Sequence, residues 1–101
     1  MSRYVLSPAA AADVEGIAAF LDDQAPRATG HVLRGLRDAM RRIAARPGIG
    51  RLREDLSDEP LRFYPVWSYL VIYRTTDPVE VVRVLHGARD VARILGKGRR
   101  R

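Results

Sequence analysis

His86 and seventeen scattered arginines are the side chains in this 101-residue chain whose types suit chemistry. An imidazole exchanges a proton near neutral pH, and a guanidinium holds a carboxylate or a phosphate through two parallel hydrogen bonds. His86 stands at the end of an apolar run, in His86-Gly87-Ala88-Arg89-Asp90. Arg62 and Arg83 lie inside apolar runs, while Arg51 and Arg53 lie in a polar connection. Arginine stays protonated and so is a poor general base. The one lysine is Lys97, near the C-terminus. His31, isolated in a helical stretch, reads as structural. Two distant histidines and no cysteine do not make a zinc site, and no cofactor is expected.

What these residues suit best is holding an anionic partner. Eighteen basic against twelve acidic residues leave a net charge of +6, so a nucleic acid, an acidic protein segment or both are natural partners. A GC-rich genome that favours arginine over lysine accounts for part of the same excess. One hundred and one residues allow one modest core, expected over 1–96, with 97–101 as a basic disordered tail. The absence of cysteine fits an intracellular, cytoplasmic setting. No apolar run reaches the ~18 residues of a membrane span, and the N-terminus lacks the apolar stretch of a signal peptide.

The elements that must position these side chains follow from the apolar pattern. Arg3 to Ser7 alternates as a short strand. Ser7-Pro8 then starts a helix, Ser7 as its N-cap and Pro8 at the first helical position, where a missing N–H costs nothing. Ala9 to Asp23 favours helix, with Val14, Ile17, Ala18 and Leu21 as its stripe. A second helix is expected from Pro26 to Arg46, where Val32, Leu33, Leu36, Ala39, Met40 and Ile43 recur at helical spacing. Arg27, Arg34, Arg41 and Arg42 lie on its outer side, with Arg37 nearer the margin. Pro47 and Gly48 stop it, and residues 48–60 form one long connection whose acidic residues can neutralise arginine locally. Leu61 to Val66, Tyr69 to Thr75 and Val79 to His86 then read as strands of an antiparallel meander, because their short spacers exclude parallel crossovers. Asp90 can cap a last short helix, Val91 to Leu95.

The order β-α-α-β-β-β with a short terminal helix predicts an α+β fold: a helical hairpin on one face of a four-stranded, mainly antiparallel sheet. Strict alternation places Leu61 and Phe63 opposite Arg62 and Tyr64, and Leu70, Ile72 and Arg74 opposite Tyr69, Val71 and Tyr73. In the last strand it puts Val82 and Val84 on one face and Val81, Arg83 and Leu85 on the other. One face is then wholly apolar and the other carries Arg62 and Arg83. Trp67, at the turn between strands, suits either the core or an exposed protein-binding anchor.

In this order and spacing, four segments resemble the ParE branch of the RelE/ParE toxin superfamily of bacterial type II toxin–antitoxin systems. They are Tyr4-Val5-Leu6-Ser7-Pro8-Ala9-Ala10 running to Ile17, Arg46-Pro47-Gly48-Ile49-Gly50-Arg51, Tyr69-Leu70-Val71-Ile72-Tyr73-Arg74, and Val82 through Asp90. The resemblance implies a RelE/ParE-like fold and a toxin neutralised by a ParD-like antitoxin, in a 2:2 heterotetramer or higher. It implies that the pair reaches operator DNA through the antitoxin. It also implies a free toxin that inhibits DNA gyrase by binding, without catalytic residues. RelE-like relatives instead cut messenger RNA, and for that chemistry the candidates here are Arg62, Arg83 and His86. A third reading is a non-toxic protein that only binds its antitoxin and helps repression. Antitoxin contacts are expected at Arg62, Tyr64, Arg74 and Arg83, then at Arg34, Arg37 and Arg41 of the second helix.

Overall fold

The computed structural model describes residues 3–98. Five strands make one mixed sheet: β1 (Tyr4–Leu6), β2 (Arg51–Leu52), β3 (Arg62–Val66), β4 (Tyr69–Arg74) and β5 (Val79–His86). Their spatial order is β1-β5-β4-β3-β2, with β1 parallel to β5 and the other pairs antiparallel. The expected four strands are present, and a two-residue fifth, β2, is added from within the long connection. Helices α1 (Pro8–Gln24) and α2 (Thr29–Ala45) form the hairpin, and α3 (Val91–Ile94) ends the described chain.

Ser7 performs the N-cap role its position predicts. Its hydroxyl accepts the Ala10 N–H at 3.0 Å and donates to the Val82 carbonyl at 2.7 Å, so one residue starts α1 and ties it to β5. Helix α2 begins three residues later than its pattern predicts, because Pro26–Ala28 forms a tighter 3₁₀ turn first. Its buried residues, Leu36, Ala39, Met40, Ile43 and Ala44, follow the three- and four-residue spacing of an apolar stripe.

One extra residue in β5 changes which side chains share a face. Ile72 pairs with Arg83 but Tyr73 pairs with Val81, so Val82 is a β-bulge. The expected alternation along β5 fails there, since one inserted residue exchanges the faces. Val79, Val81 and Val84 all pack under the helices with Tyr73, Val71 and Val66, whereas Val82 and Leu85 pack on the opposite side. The assignment in β3 and β4 holds. Neither face is bare: Leu61, Phe63, Ile72 and Leu85 form a second core beneath Val91, Ile94, Leu95 and Leu56.

On its outer side β5 has an unpaired edge beyond Val81, because the three-residue β1 ends there. Helix α1 runs along that edge and closes it. The Asp13 carboxylate accepts the Val84 backbone N–H at 2.9 Å and the Nε and Nη2 donors of Arg83 at 2.7 and 2.8 Å. This ion pair is largely shielded from solvent, and hydrogen bonding to Asp13 raises the Arg83 pKa further. Lys97 and Gly98 both bond Asp58, at 2.8 and 2.7 Å, while the expected tail residues Arg99, Arg100 and Arg101 lie outside the described residues.

On the helical face of the sheet, the exit from α2 is pinned by Tyr73. Its buried hydroxyl donates to the Pro47 carbonyl at 2.6 Å and accepts the Gly50 N–H at 2.8 Å. Gly50 lies so close to that phenol that a Cβ would be 2.6 Å from its oxygen.

Two predictions follow from these anchors. Tyr73→Phe should lower the urea unfolding free energy by about 1–3 kcal/mol, since it orphans two backbone groups. Burial raises the Tyr73 pKa above its ordinary 10.0. The phenol's contribution is therefore whole below about pH 10 and is lost as pH rises further, so wild type should lose stability there faster than Tyr73→Phe. Asp13→Ala and Arg83→Ala should each cost about 3 kcal/mol, Asp13→Ala more because it also strands the Val84 N–H. The double variant should cost clearly less than the sum, as measured by a double-mutant cycle.

Candidate functional site

The basic residues that the sequence singles out do not form one surface. Arg62, on β3, donates to the Gly50 carbonyl at 2.7 Å and so helps Tyr73 hold the turn after α2. Arg74, at the end of β4, is paired with Glu59 at 2.7 Å and Glu80 at 3.4 Å. Arg83 is held by Asp13. Three of the expected contact residues thus have carboxylates or carbonyls of this same chain as partners. In the long connection Arg53 grips Asp55 with two bonds of 2.9 and 2.8 Å, and this hydrogen bonding holds the Asp55 carboxyl below its usual range. The acidic residues of 48–60 do neutralise arginines nearby, as their placement predicts.

The three side chains considered for RNA cleavage are kept apart by their partners. Arg62 is turned to the β2 edge, and Arg83 to α1 at the opposite edge of β5. His86 is exposed at the end of β5. Its Nδ1 accepts the Ala88 N–H at 3.0 Å, and its ring meets Tyr69 edge-on at 5.6 Å. Using Nδ1 as an acceptor puts the proton of the neutral ring on Nε2. An acid–base pair with a cation poised over one phosphate needs these groups to converge. They serve separate parts of the fold instead. Asp90 caps α3 through the Arg93 N–H at 3.2 Å, the role its position predicts.

Exposed side chains gather elsewhere. Between α1 and the ends of β4 and β5 lies a cavity of about 450 Å³, its walls mainly Ile17, Phe20, Tyr69 and Val84, with His86 and Arg89 at its rim. Phe20 is 63% exposed, a large apolar surface left uncovered. The α1 side of this cavity includes Ala12 and Gly16, and nothing stands within 4 Å of where a Gly16 Cβ would be. The small residues make the groove deep; a helix with larger ones would fill it. Alternation and charge gave no hint of this groove. The signal that was available is the outward side of α1, where Ala11, Ala12, Gly16, Ala19 and Phe20 are exposed and Glu15 is the one charge before Asp22. A helix apolar on its outer side as well is built to be covered.

The expected contact residues on α2 are exposed. Arg34 and Arg37 point outward, and Arg41 pairs with Asp38 at 3.1 Å, an exposed pair worth little by itself. Tyr64 packs under the helices, and its hydroxyl accepts the Arg42 Nε at 3.3 Å while the guanidinium lies 5.9 Å over the ring. Trp67 is 58% exposed on the β3–β4 turn, which answers the question left open by its sequence position. Among the described residues no helix is long and apolar enough to cross a membrane.

Comparison with known proteins agrees with this architecture. The family model described as "ParE toxin of type II toxin-antitoxin system, parDE" matches residues 4–91. The chain is 39% identical over 97 residues to "Toxin ParE1" of Mycobacterium tuberculosis strain CDC 1551 / Oshkosh, the match covering 93% of this chain and 98% of that protein. The same figures hold for "Toxin ParE1" of strain ATCC 25618 / H37Rv. A short strand leading into a capped helix, the Tyr73-pinned turn after α2 and the meander ending at His86 all fall within the matched span. The chain belongs to the ParE toxin family of type II toxin–antitoxin systems.

Proposed function

We propose that this chain is a toxin that works by binding: a cognate ParD-like antitoxin holds it inactive, and when released in the cytoplasm it inhibits DNA gyrase. The observation that carries the binding reading is the uncovered apolar groove along α1, with Phe20 exposed beside Ile17, Tyr69 and Val84. An amphipathic antitoxin segment suits this groove, its apolar side laid against Phe20 and Ile17 and an acidic residue near Arg89. Arg37, exposed at the edge of a smaller apolar cleft among β1, α1 and α2, is a further contact in this reading. A 2:2 heterotetramer built on an antitoxin dimer, reaching operator DNA through the antitoxin, is the corresponding assembly. The separate partners of Arg62, Arg83 and His86 favour gyrase inhibition over message cleavage.

A supercoiling assay with purified toxin and gyrase, run beside a cleavage assay on translating ribosomes, tests the target. Gyrase-dependent linear or nicked DNA with intact message is the expected result. Cut message with normal supercoiling would overturn it. The groove is tested by Gly16→Leu. Replacing an exposed mid-helix glycine removes a propensity cost of about 0.8–1.0 kcal/mol, so the variant should melt a few degrees higher. Its leucine side chain should at the same time fill the groove and weaken antitoxin binding by at least roughly tenfold. Unchanged antitoxin affinity would place the partner elsewhere.

A further inference from the structure

The β3–β4 turn consists of two residues, Trp67 and Ser68. Trp67 takes φ 53°, and among the described residues it is the one non-glycine with a positive φ. Two-residue hairpins give such positions to glycine, asparagine or aspartate, since a bulky side chain there is strained. Here the strained position is occupied by the chain's single tryptophan, and the indole is more than half exposed. Its placement is nonetheless well defined. The ring lies across α2 at Gly35, where any Cβ would collide with it, and stacks at 5.0 Å and 34° on His31. A side chain fixed this firmly and then left in solvent is preorganised for contact.

The charges beside it are ordered. Arg34, Asp38 and Arg42 occur at four-residue spacing, so they form one row along α2, and together with Trp67 and Pro65 they line a cavity of about 370 Å³. The row reads plus, minus, plus. A nucleic-acid backbone is uniformly negative and would set a phosphate against Asp38, whose carboxylate is only partly offset by its exposed pair with Arg41 at 3.1 Å. A protein segment with two carboxylates, spaced to meet Arg34 and Arg42, and an apolar side chain between them fits both the row and the indole. None of the residues lining this cavity lines the α1 groove.

We infer that Trp67, Arg34 and Arg42 form a second docking surface that takes an acidic protein segment of the toxin's target, separate from the groove assigned to the antitoxin. This rests on the gyrase reading above. Tryptophan and arginine are the residues in which interface energy concentrates, and an exposed Trp67 flanked by two guanidinium groups has that composition.

The test measures binding of purified gyrase and of the cognate antitoxin to wild type, Trp67→Ala, Arg34→Glu and Gly35→Ala, with circular dichroism to verify folding. Trp67→Ala and Arg34→Glu should each weaken gyrase binding by roughly tenfold or more and leave antitoxin affinity within about twofold. Gly35→Ala, which displaces the indole without removing it, should weaken gyrase binding as well. Folded variants that bind gyrase like wild type would overturn the assignment. Equal loss of antitoxin binding in a folded variant would give the surface to the antitoxin, and so would also overturn it. Titration with a single-stranded oligo(dT), read by fluorescence of the lone tryptophan, should leave the emission unchanged. Saturable quenching abolished by Arg34→Glu would replace the protein target with nucleic acid. Wild type that does not bind gyrase at all would defeat the gyrase reading itself, and this assignment with it.

Discussion

One carboxylate, that of Asp13, fixes the first helix along the edge of the sheet. Beyond Val81 the last strand has no neighbour on its outer side, because β1 is only three residues long. An open edge with a free N–H and a half-buried guanidinium would invite pairing with another chain. Asp13 accepts both, so α1 lies along β5 as a substitute for a neighbouring strand. The Ser7 hydroxyl does the same for the Val82 carbonyl one turn earlier. The position of α1 then decides everything built on it: the closed edge, the roof over Val84 and the groove between Ile17, Phe20 and Tyr69. A helix held mainly by apolar contacts could rotate or slide. One held by three hydrogen bonds to a single carboxylate keeps its register.

The same economy explains why, among the described residues, so basic a protein has no arginine-lined centre. A guanidinium near low-dielectric surroundings needs partners for its donors, and this chain supplies them internally. Asp13 meets Arg83, Glu59 and Glu80 meet Arg74, and backbone carbonyls at the end of α2 meet Arg62. Those residues act as braces between separate elements, in the case of Arg83 and Asp13 seventy residues apart. Of the arginines left facing outward, four lie on α2, Arg34, Arg37, Arg41 and Arg42, and the row of Arg34 and Arg42 runs beside the exposed Trp67. The inward guanidinium groups therefore serve the structure.

Two surfaces of different character result. Along α1 the surface is apolar, made deep by small residues and rimmed by His86 and Arg89. Along α2 it is an ordered row of charges beside a tryptophan held in a strained turn. An antitoxin that must bind tightly is well served by the first, since affinity comes largely from burying apolar area. In the assignment proposed above the target takes the second, where matched charges reject wrong partners.

Much of this architecture was legible in the chain itself. Helical periodicity located both long helices, Ser7-Pro8 located the start of α1 and Asp90 that of α3. The short spacers around Trp67 and Asp77 forced the antiparallel meander, because parallel strands need longer connections. The faces of β3 and β4 followed from strict alternation. The faces of β5 did not, since a one-residue bulge at Val82 has no signature in a run of valines and is set by pairing with Tyr73. Nor did the pairing of Asp13 with Arg83, seventy residues apart, or of Tyr73 with Pro47 and Gly50. Local sequence determines backbone preference and which side chains want burial, so element types and family came from the residues alone. Which arginine becomes a brace and which remains a contact depends on distances across the fold, and those exist only once the chain has closed on itself.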